Sequence, residues 1–448
     1  MCAKLSVPLP SLTRPIDRLL SPIRDFLRIE AAGGILLLAA TALALVWANS
    51  PWAQSYDDFW RIPISVGIGS FELNHSLAHW VNDGLMVIFF FVVGLEIKRE
   101  MLVGELSSVR QATIPIAAAI GGMAAPALIY IAINAGGAGA GGWAIPCATD
   151  IAFALGVMAM LGKRVPVQLK IFLMALAIVD DIGAVLIIAF FYTSDLQWAA
   201  LWAGAGIMVL LVAANLLHVR KPVVYGILGV LLWIAVLESG VHATLAGVVL
   251  AFTIPASFRI QGRDFVSFAR KAVDEFEAAG GNENDCMTNE HRQRWVHGLE
   301  QACEHVQTPL LRLEHFLHPI SSFFIVPVFA LANAGVSIGT GVGEALMTRV
   351  SLGIIVGLVL GKQIGIMGFT WLAVKLNLGS LGEGVSWKQV YAASWLAGIG
   401  FTMSIFIANL GFGAGENLYA AKIGVLAGSL VAGVVGFTLL RAFTSART

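Results

Sequence analysis

The sequence predicts an all-α polytopic membrane protein, with about twelve spanning helices built as inverted repeats and a small β-hairpin on the outer side. Three observations carry that expectation. The 448 residues are 58% hydrophobic and only 12% charged, with a mean hydropathy of +0.81, whereas soluble domains carry about 25% charged residues. Apolar runs recur along nearly the whole chain, and a bilayer core asks for about 20 apolar residues per helix. Lys and Arg are also divided unevenly between alternate loops. With the N-terminus inside, the outer loops carry only Arg61, Arg349 and Lys422, Lys362 lies within a span, and the rest of the 28 fall on the inner side. By the positive-inside rule both termini are then cytoplasmic, as in a multi-pass protein of a bacterial inner membrane. A net charge of zero argues against a nucleic-acid partner.

Residues 1–32 interleave Arg14, Arg18, Arg24 and Arg28 with Leu and Pro, without the clean apolar core of a cleavable signal, and read as a cytoplasmic lead-in. Apolar runs follow near 33–50, 76–97, 112–132, 143–161, 168–192, 197–217, 222–237, 241–257, 316–334, 350–372, 390–410 and 418–440. Between the first two, RIPISVGIGSFELN alternates and turns at glycine, the pattern of a short hairpin. The run 143–161 is short and holds Pro146, Thr149 and Asp150, which predicts a broken helix whose freed backbone groups face a cavity or other protein. A Thr-Asp N-cap on a helix that starts late is a compatible alternative. In the run 390–410, Gly398, Gly400 and Thr402 fit a second break, or close helix packing. The two interrupted runs stand seven spans apart and therefore have opposite orientation, as in inverted-repeat transporters whose substrate binds at the midplane. Residues 258–315 form the one sizeable hydrophilic insertion in a single transmembrane domain spanning 1–448, expected as a cytoplasmic, solvated helical segment. Cys2, Cys147, Cys286 and Cys303 have no metal-ligand spacing, and no cofactor is called for.

The chemistry lies in charges at bilayer depth. Asp180 and Asp181, in VDDIGAVLIIA, have about ten apolar or small residues on either side. A carboxylate there costs at least about 3 kcal/mol and two adjacent ones repel, so the pair marks an ion or proton site. Lys362 lies about twelve residues, hence about 18 Å, from either end of its run, too deep for its ammonium to reach water. Asp180 or Asp181 is its obvious partner. Successive helical residues diverge by about 100°, so one aspartate can pair with Lys362 while the other faces the ion path. A hard oxygen site of this kind takes a cation or protons, not comfortably both. At the inner end of the second span, Glu96 and Arg99 stand at i, i+3, and RLEHFLHP adds Glu314, His315 and His318. They read as interfacial anchors or as a pH-responsive mouth. His242 reads as a packing histidine, and Asp83 as an interfacial cap in preference to a funnel charge.

The strings GLEIKRE, ATDIAFALG, VDDIGAVLIIA, SGVHATLAGV, RLEHFLHP, LANAGVS, GKQIGI and GIGFTMSIFIA resemble the NhaA-type sodium/proton antiporters, in order and across nearly the whole chain. That family is itself a standard example of inverted-repeat architecture, so the repeat reading is not independent of the resemblance. The resemblance implies twelve helices, with the fourth and eleventh discontinuous and crossing. It makes Asp181 the principal ligand for sodium or lithium and Asp180 the partner of Lys362. It puts Thr149 and Asp150 at the crossing, where Asp150 and Lys362 offset helix-end charges. It further implies electrogenic exchange with more protons entering than sodium leaving, control of internal pH and sodium, a pH-controlled mouth at Glu96, Arg99, Glu314, His315 and His318, and a homodimer joined partly by the hairpin.

Other classes fit less well. A sodium-coupled solute symporter of the same architecture would need a larger polar cavity than these few intramembrane groups can line. An intramembrane aspartyl protease does not call for a buried lysine, and no GxGD string is present, so no enzyme is expected. An ion channel is disfavoured because a deep carboxylate pair is a trap for cations, not a fast pore.

Overall fold

The computed structural model describes residues 32–68, 71–193, 196–258, 260–279, 289–339, 341–382 and 384–444. The proposed lead-in at the N-terminus lies outside the described residues apart from its last position. Helix α1 (Ala32–Ala48) ends ahead of Ser50 and Pro51 and turns by 113° into α2 (Ala53–Arg61). Strands β1 (Pro63–Ile68) and β2 (Phe71–Ser76) then pair antiparallel, Pro63 opposite Ser76 and Ile68 opposite Phe71. The pair is tied to the start of α3 (Leu77–Val103): Trp80 Nε1 donates to the Ile64 carbonyl at 3.0 Å, and the Leu77 amide to that of Ile62 at 2.9 Å. The N-cap of α3 is Ser76, whose hydroxyl accepts from the His79 amide, so Asp83 is not the cap it was expected to be. A cap must precede the first turn to reach its free amides, and Asp83 lies a full turn and more inside it.

Helices α4 (Val109–Asn134), α5 (Ile151–Ala159), α6 (Val167–Phe191), α7 (Trp198–Leu216), α8 (Pro222–Glu238) and α9 (Thr244–Thr253) follow. Lys98 of α3 caps α9 by donating to the carbonyls of Phe252 and Ile254 at 2.6 and 2.5 Å, a cation at a helix C-terminus. The polar stretch forms α10 (Gly262–Ala278) and α11 (Glu290–Val306), packed through Phe268 on Trp295 and Arg292 over Phe276. The chain returns to apolar sequence in α12 (Pro309–Asn333), α13 (Arg349–Lys375), α14 (Trp387–Ala397), α15 (Phe401–Phe412) and α16 (Glu416–Phe443). Among the described residues, eight helices are long and apolar enough to cross a membrane, or ten if each bent pair is one span. The expected spans near 222–237 and 241–257 fall on α8 and α9, which are apolar but only 17 and 10 residues long.

The tightest packing is between α4 and α13. Gly353, Gly357, Gly361 and Gly365 recur every fourth residue, one face of a helix. A Cβ on Gly365 would lie 1.9 Å from the carbonyl oxygen of Gly121, and one on Gly361 would lie 2.8 Å from Cα of Pro126. The two backbones therefore touch, which is how helices associate where lipid removes the hydrophobic drive. Directly before Lys362, residues Gly357–Gly361 form a wider π-type turn, a local irregularity that often accompanies a functional site. The Lys362 stem then passes over Gly122, where an added Cβ would sit 3.7 Å from its Cδ.

Gly365→Val should lower the melting temperature in detergent sharply, since overpacking costs about 1–3 kcal/mol even where neighbours yield, and here the neighbour is backbone. Gly368→Val, at a position with nothing within 4 Å of an added Cβ, should melt close to the native protein. Equal melting of the two variants would refute the backbone contact.

Candidate ion-binding site

The site is built where two helices are interrupted. A short turn, Ile145–Cys147, carries Pro146, after which Ala148 and Asp150 are extended and α5 begins at Ile151. The α14–α15 pair bends by 43° at residues Gly398–Gly400. Glycine is required there by proximity: a Cβ on Gly398 would lie 2.6 Å from the Leu358 carbonyl oxygen, and one on Gly400 would lie 2.1 Å from Ser404 Oγ.

The two breaks satisfy each other. The Asp150 amide donates to the Ile399 carbonyl at 2.7 Å, and Ser404 Oγ to the Ile145 carbonyl at 2.7 Å. The Asp150 carboxylate serves both helix starts at once. Its Oδ1 accepts from the Phe153 amide of α5 at 2.9 Å, and its Oδ2 from the Thr402 amide of α15 at 3.0 Å and the Thr402 hydroxyl at 2.5 Å. One full negative charge thus faces two partial positive helix ends. The Phe401 amide, next to the break, donates to Ser429 Oγ at 3.1 Å.

Lys362 is fully buried and lies 2.5 Å from Asp180 Oδ2, so of the two adjacent aspartates it is Asp180 that takes the lysine. Thr149 Oγ1 lies 3.0 Å from Lys362 Nζ, from which it accepts, 2.7 Å from Asp180 Oδ2 and 2.8 Å from the Ala397 carbonyl. Its single proton serves one of the last two oxygens at a time. The ammonium therefore sits beside the C-terminal end of α14, where helix carbonyls carry partial negative charge. Asp180 Oδ1 is buried without a hydrogen-bond partner, and among the described residues none donates to Asp181, which is 2% exposed. The groups acting on Asp181 are three carboxylates, those of Asp180, Glu96 and Asp150, against one cation, Lys362. What the protein leaves open here is hard anionic oxygen, the donor type that suits Na+, Li+ or a proton.

Towards one end of α3, Arg99 gathers acids. Its guanidinium lies 3.0 Å from Glu100, 3.2 Å from Glu314 and 3.8 Å from Glu96. The structure thus brings together Glu96, Arg99 and Glu314 and adds Glu100, which sequence reasoning missed although it stands at i, i+4 from Glu96. His315 and His318 do not join this cluster. Both are exposed: His315 is rotated about 100° from the buried Glu314, and His318 stands a full turn beyond it along α12. At the other end of α3, Asp83 lies 3.2 Å from His79 and shares a cavity with His242. Asn409 donates to Asn333 and Asn333 to Asn82, each at 2.7 Å, tying α15, α12 and α3 together beside it. None of these three asparagines was singled out in the sequence; LANAG and IANLG offered only polar residues at apolar-run ends.

A model of the family described as Na+/H+ antiporter 1 matches residues 24–440. The Na(+)/H(+) antiporter NhaA of Koribacter versatilis is 51% identical over 95% of the chain and 92% of its own length. Its namesake from Oleidesulfovibrio alaskensis is 50% identical over 97% of the chain and 96% of its length. That of Helicobacter pylori is 45% identical over 92% and 94% respectively.

Removing one partner of a buried ion pair costs about 3–5 kcal/mol, because the other charge stays behind. Lys362→Ala should therefore lower the melting temperature in detergent far more than Lys388→Ala, whose side chain is exposed. Indistinguishable melting would mean that the Asp180–Lys362 contact is not a stabilising pair.

Proposed function

The chain belongs to the Na+/H+ antiporter 1 family and is a sodium/proton antiporter, and we propose that the two ions compete for the carboxylates of Asp181 and Asp180 at the helix crossing. The observation that carries this reading is the inequality of two adjacent aspartates: Asp180 is held by Lys362 and Thr149, while Asp181 receives no hydrogen bond from a described residue. Asp181 is then the principal cation ligand and Asp180 the structural partner that lends its free Oδ1. The relatives are named antiporters, and a sodium-coupled solute symporter is not supported.

The mechanism follows from charge. With the site unloaded, two adjacent carboxylates face one buried ammonium, and the uncompensated anion resists movement through a low-dielectric region. A sodium or lithium ion supplies the missing charge, and so do protons. Loading by either lets the half-helices α5 and α15 rock between membrane faces, with Asp150 and Lys362 holding the helix-end charges throughout. Two titrating carboxylates for one monovalent cation support electrogenic exchange, more protons entering than sodium leaving, and hence control of internal pH and sodium. The Arg99 cluster of Glu96, Glu100 and Glu314 forms a pH-responsive cytoplasmic mouth, with His315 and His318 exposed outside it. About twelve spans as inverted repeats, with α8 and α9 completing the set, would place both termini on the cytoplasmic side of a bacterial inner membrane. The strand pair β1–β2 would join two protomers. The helices α10 and α11 then form a cytoplasmic appendage of one transmembrane domain.

Asp181→Asn should abolish sodium-dependent proton release from everted vesicles while leaving insertion and melting near native. Near-normal exchange would overturn the carboxylate site.

Competition for one site also has a sign. Lowering pH fills the site with protons, so the half-maximal sodium concentration should rise as pH falls, by about tenfold per unit for each proton displaced. Titration of reconstituted protein over about two units around neutrality reads this directly. A flat profile would separate the two binding sites.

A further inference from the structure

We propose that Asp83 is a second cation-binding carboxylate of the transport path, at the mouth on the strand-pair side, and that the stacked imidazoles of His75 and His79 control its availability. The proposal rests on the antiport reading above and extends it to a place well removed from the crossing.

Asp83 borders a cavity of about 230 Å³ together with His79, Asn82, His242, Phe406 and Asn409. Its Oδ2 lies 3.2 Å from His79 Nδ1, and the His79 ring stacks on that of His75 with centroids 4.1 Å apart and planes at 24°. His79 Nε2 is buried without a hydrogen-bond partner, so one ring nitrogen faces the carboxylate and the other is unused by protein. The titratable groups acting on Asp83 come from three elements: His75 from β2, His79 from its own helix, and His242 from the turn before α9. No lysine or arginine is among them. Asp180 has a lysine for its partner where Asp83 has imidazoles, and the difference decides what each carboxylate can do. Asp83 is compensated only when an imidazole beside it is protonated, and imidazoles change charge in the physiological range.

With neutral imidazoles, Asp83 is an anion facing a cavity and attracts a monovalent cation. With a protonated neighbour it becomes half of an ion pair, and a second cation is repelled. The floor of the cavity supports a route. Asn409 and Phe406 belong to α15, the half-helix that starts at the crossing with Thr402, and seven residues of helix span about 10 Å. The chain of amides from Asn409 through Asn333 to Asn82 fixes the residue next to Asp83 against that same half-helix. A movement of α15 therefore acts on Asn82 directly, and sodium released from Asp181 towards this side would meet Asp83 next.

The test is sided transport by the full chain, reconstituted or in right-side-out and everted vesicles, with sodium offered from one face at a time. Asp83→Asn should raise the apparent KM for sodium about tenfold from the strand-pair face and by clearly less from the opposite face. His75→Gln combined with His79→Gln should flatten the pH dependence of the strand-pair-face KM between about pH 6 and 8, and only on that face. An unchanged KM in Asp83→Asn, or an equal rise from both faces, would overturn the proposal, and so would a double histidine variant with the native profile. If Asp83→Asn does not fold, the histidine variant decides alone. Wild-type protein that moves no protons in response to sodium would instead overturn the antiport reading, a different outcome from any of these.

Discussion

Interrupting a helix at membrane depth frees amides and carbonyls where no water can pair with them, and each unpaired group costs several kcal/mol. This protein interrupts two helices in one place. The Asp150 carboxylate bonds the first turn of α5 and of α15 together, and the backbone of each break is completed by the other. Everything else at the site depends on that arrangement. It sets Thr149 between Lys362 and the end of α14, and it leaves the half-helices joined by a few polar contacts instead of continuous backbone hydrogen bonding. A continuous helix at either position would be stable but could offer no charged crossing.

The lysine follows from the same constraint. A buried ammonium is tolerated only beside a carboxylate and further acceptors, and Lys362 has Asp180 and Thr149. Its height is set by the glycine face of α13, which brings the α4 and α13 backbones into contact and directs the lysine stem across Gly122. Packing and electrostatics are therefore not separate here. Widening the α4–α13 interface would move the ammonium away from Asp180 and leave three carboxylates facing one another.

Charge is arranged differently at the three levels of α3 and its neighbours. At one end, a permanent guanidinium holds three glutamates together. At the crossing, Lys362 holds one of two aspartates. At the other end, the charged or titratable groups beside Asp83 are, among the described residues, the imidazoles of His75, His79 and His242.

The sequence by itself determined the membrane class, the place of Asp180, Asp181 and Lys362 within long apolar runs, the first helix break, and the family, because each depends on composition or on order along one chain; it left the second break level with close helix packing. Charges in a long apolar run are conspicuous without any knowledge of neighbours. Tertiary structure decided which aspartate takes the lysine, that Asp150 caps two helices and not one, that Glu100 joins Arg99 while His315 and His318 do not, and that Asp83 pairs with His79 instead of capping α3. The first three depend on the rotation of one helix against another, and the last on where α3 begins. A membrane helix that is apolar all round carries little periodic signal of which face meets protein and which meets lipid. That rotation is set by glycine contacts between helices distant in sequence, such as Gly121 and Gly365, and only their packing reveals it.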